Sequence, residues 1–222
     1  MKFEHHLQAE TLLAYAAGSL PAAMALVVSC HTEVCEQCRR ELRLAESLGG
    51  KMLDSLEAKP LSAAARDNIL SLLDEAPAQS EPSTAAKSPR QPLRDGVLLP
   101  TALKNLLQID SYSQLRWRKM APGIEKFELP LKEGRSFMLR IGAGLAMPVH
   151  SHTASELTLI MQGGYRDKLG DFHVGDIADL DGSTEHQPEA FEDESCICLA
   201  GMDGGLKFKA LLPTLMKPFM RL

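Results

Sequence analysis

The chain has 222 residues, 45% of them apolar and 24% charged, with a formal net charge of −5 at pH 7. That balance excludes a disordered or low-complexity chain and a polycation that holds nucleic acid by overall charge, so no direct nucleic-acid binding is expected. No apolar run reaches the roughly 20 residues of a membrane span. The opening Met1-Lys2-Phe3-Glu4-His5-His6 lacks the apolar stretch of a secretion signal, so a cytoplasmic protein with no membrane partner is expected.

Residues 1–76 read as about four helices. Ala9 to Ala17 is rich in Ala and Leu, with Gly18 placed to stop it. Ser19 is set to cap a second helix, with Pro21 in its first turn and Met24, Val27 and Val28 on its apolar face. Leu42, Ala45, Leu48, Met52 and Leu56 recur every three or four residues, the period of a long amphipathic helix that Gly49-Gly50 weakens midway. Ser62 can cap a fourth helix with Ile69, Leu70 and Leu73 on one face.

Residues 77–96 hold prolines, no aromatics and few large apolar side chains. They cannot bury enough surface to offset their ordering entropy, so a flexible linker is expected. From 97 to 222 the pattern changes to short β-like runs separated by glycine turns: Phe137 to Ile141, Leu157 to Met161 and Cys196 to Leu199. Closely spaced strands of this kind predict a sandwich or barrel.

The five cysteines form two groups, and six of the seven histidines lie in or beside two ligand motifs. In the first, His31-Thr-Glu-Val-Cys35-Glu-Gln-Cys38, helical offsets of four and seven would bring all three donors within about 60° of one face. Two thiolates and an imidazole are a soft set that suits zinc, and a closed tetrahedral site needs a fourth ligand, which His5 or His6 can supply. Such a metal would stabilise a helical domain too small for a large core. Cys30 has no evident partner and reads as a buried thiol. In the second motif, His150, His152 and Glu156 have equal parity, so a strand would turn two imidazoles and a carboxylate to one side. His186 could complete the set around zinc, iron, manganese or nickel. His173 falls outside it, and Cys196 and Cys198 share a strand face.

The glycine-framed segment Gly144, His150, His152, Glu156, Gly163 resembles the first cupin motif at each defining position. The second motif is weaker: Gly175 and His186 fit, but Asp181, Ser183 and Ala190 stand where Pro, Gly and Asn are usual. The upstream His-x3-Cys-x2-Cys resembles a zinc-binding anti-sigma domain. In this order the two are similar to the ChrR-type anti-sigma factors over nearly the whole chain, including the ending Pro213 to Leu222.

The resemblance implies an N-terminal all-α zinc domain and a C-terminal all-β cupin barrel. It puts the N-terminal zinc on His6, His31, Cys35 and Cys38, and a second divalent metal, zinc foremost, on His150, His152, Glu156 and His186. It implies a non-enzymatic regulator that sequesters a sigma-E-type extracytoplasmic-function (ECF) sigma factor one to one. The cupin would answer an oxidative signal, singlet oxygen or an organic hydroperoxide, and control release. A metal-dependent cupin enzyme, a dioxygenase or isomerase with a helical appendage, is the competing reading.

Overall fold

The computed structural model describes residues 3–75, 93–94 and 96–208. Most of the expected linker 77–96 and the ending Pro213 to Leu222 lie outside the described residues.

Helix α1 spans Ala9–Ala16. Helix α2 spans Ala22–Thr32, and here the structure corrects the expected cap. Pro21 takes the N-cap position in an extended conformation, while the Ser19 hydroxyl turns back to donate to the Ala14 carbonyl at 3.0 Å. Helix α3 spans Glu36–Asp54 and runs unbroken through Gly49-Gly50. Its N-cap is Cys35, whose sulfur accepts the Cys38 N–H at 3.5 Å. Helix α4 spans Ala63–Glu75, and Ser62 caps it as expected, its hydroxyl accepting the Ala65 N–H at 3.1 Å.

Leu93–Arg94 (β1), assigned above to the linker, pairs with Val97–Leu98 (β2). A helix α5, Thr101–Leu107, follows, so the C-terminal half is not purely β. Its first N–H groups, on Thr101 and Ala102, donate to the Glu33 carboxylate at 2.8 and 3.0 Å, which ties it to the end of α2. After a 3-10 turn the strands run β3 Arg118–Ala121, β4 Ile124–Glu128, β5 Arg135–Ile141, β6 His150–His152, β7 Glu156–Gln162, β8 Gly164–Asp167, β9 Gly170–His173, β10 Ile177–Leu180, β11 Glu189–Ala190, β12 Cys196–Met202 and β13 Leu206–Phe208. They form an antiparallel six-stranded sheet, β10-β7-β12-β5-β4-β3, a three-stranded sheet, β11-β8-β9, and the pair β13-β6. The three strands expected from the sequence are the middle of the large sheet.

Alternation along those strands separates two cores. Phe137, Leu139 and Ile141 of β5, Ile160 of β7, and Cys196, Cys198 and Ala200 of β12 enter one core with Tyr165 and Phe172 of the smaller sheet. Met138, Leu157, Leu159, Met161, Ile197 and Leu199 point the other way, into a core shared with Leu12, Met24, Val27, Val28 and Leu103 of the helices. Strands β5, β7 and β12 are thus apolar on both faces, and α2 packs on the outer one. Each Leu or Met so buried contributes about 1.5–3 kcal/mol. The approach of α2 is close: a Cβ on Gly201 of β12 would lie 2.4 Å from the Ala23 carbonyl oxygen. The Ala23 N–H, at the start of α2, donates to the Glu133 carbonyl at 3.0 Å. Among the described residues, no helix is long and apolar enough to cross a membrane.

Candidate metal centres

The helix–turn–helix of α2 and α3 builds the first cluster. His31 ends α2 and Cys35 caps α3, with Cys38 one turn later. The N-terminal segment crosses this corner and delivers His6, whose Nδ1 lies 3.3 Å from Cys35 Sγ and 3.6 Å from Cys38 Sγ. His31 Nε2 lies 3.3 Å from Cys38 Sγ. All four donors fall within 4.8 Å of one another. Zinc bonds of ~2.3 Å to sulfur and ~2.0–2.1 Å to nitrogen give a tetrahedral S–N edge of about 3.5 Å, so the residues present fit that ion. Hydrogen bonding from Cys38 holds the Cys35 thiol below its usual range, helped by His31. The same bond pushes Cys38 up. A metal bound here would displace the proton that the two sulfurs share.

His5 goes elsewhere. Its ring stacks on Phe172 with centroids 3.9 Å apart, and its Nε2 lies 3.0 Å from the Asp171 carbonyl oxygen. Of the two histidines that the spacing left open, the structure brings His6 to the sulfurs.

The second cluster lies inside the strands. His150 and His152 are buried on β6 with Ser151 between them half-buried. His186 reaches them through a reciprocal backbone bridge to His150, with N···O distances of 3.0 and 2.9 Å. Donor nitrogens of these three histidines fall within 4.8 Å of one another, and His152 Nε2 and His186 Nε2 are 3.3 Å apart. Outer partners aim two of the rings: His150 Nδ1 bonds the Pro148 carbonyl at 2.8 Å and His186 Nδ1 bonds Asp167 Oδ2 at 3.0 Å. Burial, with the neighbouring His186, pushes His150 down to about 4, so its imidazole is neutral at pH 7.

Glu156 is buried at the head of β7 but is not one of the three converging donors. Its Oε1 accepts from Thr158 Oγ1 at 2.9 Å. Its Oε2 lies 3.1 Å from His152 Nδ1, an ion-pair contact. Burial opposes ionisation of Glu156, yet His152 and the other histidines hold its carboxyl below the ordinary range. Three converging imidazoles beside a buried carboxylate fit a site that holds a cation. A mainly apolar cavity lined by Phe137, Leu139, Ile141, Met147 and Cys198 opens on His150, His186 and Glu156. Tyr165 also lines it, with a buried hydroxyl that has no partner among the described residues.

The turn before His186 departs from the cupin pattern without losing its shape. Asp181 Oδ1 accepts from both the N–H and the hydroxyl of Ser183 and Thr184, at 2.7–3.1 Å, so an Asx turn does the work of the missing Pro and Gly. Cys30, Cys196 and Cys198 are buried and free, and His173 is exposed. Sequence reasoning missed Asp167, Thr158 and Tyr165. Only Tyr165, an aromatic two residues beyond the motif's closing Gly163, carried a local signal.

Comparison with known proteins adds to this geometry. A family model for the ChrR cupin-like domain matches residues 108–203. The anti-sigma-E factor ChrR of Cereibacter sphaeroides is 34% identical over 223 residues, covering all of both chains. A crystal structure of Rhodobacter sphaeroides SigE in complex with the anti-sigma ChrR matches with a TM-score of 0.75 at 32% identity, covering 91% of this chain and all of that one.

Proposed function

Because the chain belongs to the ChrR anti-sigma factor family, we propose that it sequesters a sigma-E-type ECF sigma factor, one to one, through its helical module, and that its cupin module controls release. It is a regulator and not an enzyme. The observation that carries this reading is an apolar surface left open on the helices. Leu44, Leu48 and Met52 of α3 follow one another at four-residue spacing, and Leu48 and Met52 are 55% and 64% exposed. Leu53, Leu56 and, on α4, Ile69, Leu70 and Leu72 are also about half exposed or more. Large apolar side chains left open in such number mark a partner site, and a helix with such a row suits a groove in another protein. The solved relative was crystallised with SigE, which supports a sigma factor as the occupant.

His6, His31, Cys35 and Cys38 would hold zinc, which favours thiolate and imidazole donors and fixes the α2–α3 corner. His150, His152 and His186, with Glu156 as the carboxylate ligand, would hold a second divalent cation. Zinc suits this set best, and iron, manganese or nickel would also fit it. A small apolar cavity adjoins that second site, which supports a sensing role for the cupin. Release requires the signalled state to bind sigma less well than the resting state.

The test is co-expression of the full chain with a sigma-E-type ECF factor, followed by co-purification. A stable one-to-one complex is expected. Leu48→Asp should weaken it by about 2 kcal/mol or more, roughly 30-fold in Kd, without unfolding the chain. Failure of the folded, zinc-loaded chain to hold the sigma factor would overturn the reading.

A further inference from the structure

Between the two clusters lies the β8–β9 hairpin with the turn that follows it, His173 to Asp176. One side of the hairpin touches the cupin cluster: Asp167, at the end of β8, holds His186 Nδ1 at 3.0 Å. Asp167 pairs with Gly170 across the hairpin. The next two residues hold the N-terminal segment, Asp171 through its carbonyl to His5 and Phe172 by stacking on the His5 ring. Phe172 also stacks on Tyr165, at 4.8 Å, whose ring lines the cavity beside His150 and His186.

The following turn reaches the first cluster itself. The Gly175 carbonyl oxygen lies 3.0 Å from His31 Nδ1, leaving Nε2 for Cys38 and a metal. The buried Asp176 carboxylate collects three backbone N–H groups: Glu4 at 2.8 Å, His5 at 3.2 Å and His173 at 3.0 Å. Two of those donors, Glu4 and His5, immediately precede His6. A residue of the cupin therefore aims one ligand of the N-terminal cluster directly, and another anchors the backbone of a second. Outer partners of this kind typically alter metal affinity by about 10–100-fold when removed.

We propose that the β8–β9 hairpin and the turn after it couple the two clusters, so that a cation in the cupin cluster tightens metal binding by His6, His31, Cys35 and Cys38. A cation that draws His186 into place also fixes Asp167 and the hairpin. A fixed hairpin holds His5, Glu4 and His31 in the geometry that the sulfurs require. By linkage the coupling works equally in both directions. This regulation rests on both clusters binding metal, as proposed above.

The experiment measures zinc affinity of the N-terminal cluster in the full chain, by competition with a chromophoric chelator. The comparison is between the native chain and His150→Ala, which disables the cupin cluster without touching the hairpin. N-terminal zinc should bind at least about fivefold more weakly in His150→Ala. In a His5→Ala background, which removes no ligand, the chain should still take up two zinc ions, but the difference between intact and disabled cupin should vanish. Asp176→Asn is a second way to cut the same connection and should also shrink the difference. A native chain that binds two zinc ions with no difference on His150→Ala overturns the coupling alone. A difference that persists in His5→Ala and Asp176→Asn overturns the hairpin route. A native chain that takes up fewer than two zinc ions overturns the metal reading, and the coupling with it.

Discussion

The helical module and the cupin module treat apolar surface in opposite ways. Of the large apolar side chains exposed among the described residues, ten lie between Leu13 and Leu72, and only Leu106 and Leu169 lie in the strand-bearing half. Strands β5, β7 and β12 bury both of their faces, one in the cupin interior and one under α2, whereas α3 and α4 leave large apolar side chains exposed. The difference teaches which half is finished by the chain itself and which is completed by something else. The clusters divide in the same sense. The N-terminal one is a closed set of two sulfurs and two nitrogens at a helix corner. The cupin one is three buried imidazoles beside a small apolar cavity.

The sharpest way to break the contrast is at the sulfurs. Cys38→Ser should remove about one of two zinc equivalents and the sigma complex together, because the α2–α3 corner loses a ligand that nothing nearby replaces. Elemental analysis with co-purification measures both losses. Next in size is the opposite dissociation. His150→Ala or Glu156→Ala should cost the cupin its metal and blunt release under oxidative challenge, while sigma binding at saturating zinc persists. Abolition of sigma binding by either change would refute the division of labour.

A smaller effect tests the seam. Gly175 adopts φ +92°, and a Cβ there would lie 2.1 Å from a Phe3 ring carbon. Gly175→Ala should destabilise the chain by about 1–3 kcal/mol, read as a lower Tm, and should loosen the hold on His31. The smallest concerns Asp179, which accepts the Gln8 N–H at 2.9 Å at the start of α1. Burial raises this carboxyl above its usual range. Its folded-state value exceeds the unfolded one, so its unfavourable contribution grows as pH rises from about 4 through the raised value. Asp179→Asn keeps an acceptor for Gln8. It should therefore gain stability relative to the native chain between pH 4 and pH 7, by about 1–2 °C in Tm.

How much was legible beforehand follows from range. His31, Cys35 and Cys38 lie within eight residues, so helical spacing alone brought them together. His150 and His152 needed only strand parity. Strands β5, β7 and β12 announced themselves by apolar runs. Helix α5 did not, because seven residues give no more than two turns of period, and its cap comes from Glu33, far away in sequence. The docking of the helices on the sheet was harder still. Its contacts join residues more than a hundred positions apart, such as His31 with Gly175. One sign was present: Leu157 to Met161 and Cys196 to Leu199 do not alternate with polar residues, as a strand with one wet face would. Strands without a wet face need a cover, and among the described residues the apolar helices precede them.

Helix α3 begins at the sulfur cluster and ends beside the open apolar patch. Nineteen residues at 1.5 Å each make a rod about 28 Å long. A tilt of about 5° at its sulfur end would carry its far end about 2.5 Å, more than close-packed side chains tolerate. On the proposed function α3 would act as a lever, with its fulcrum at Cys35 and its load at Met52. A shift too small to unfold anything at the fulcrum would then be felt by a partner on the other arm.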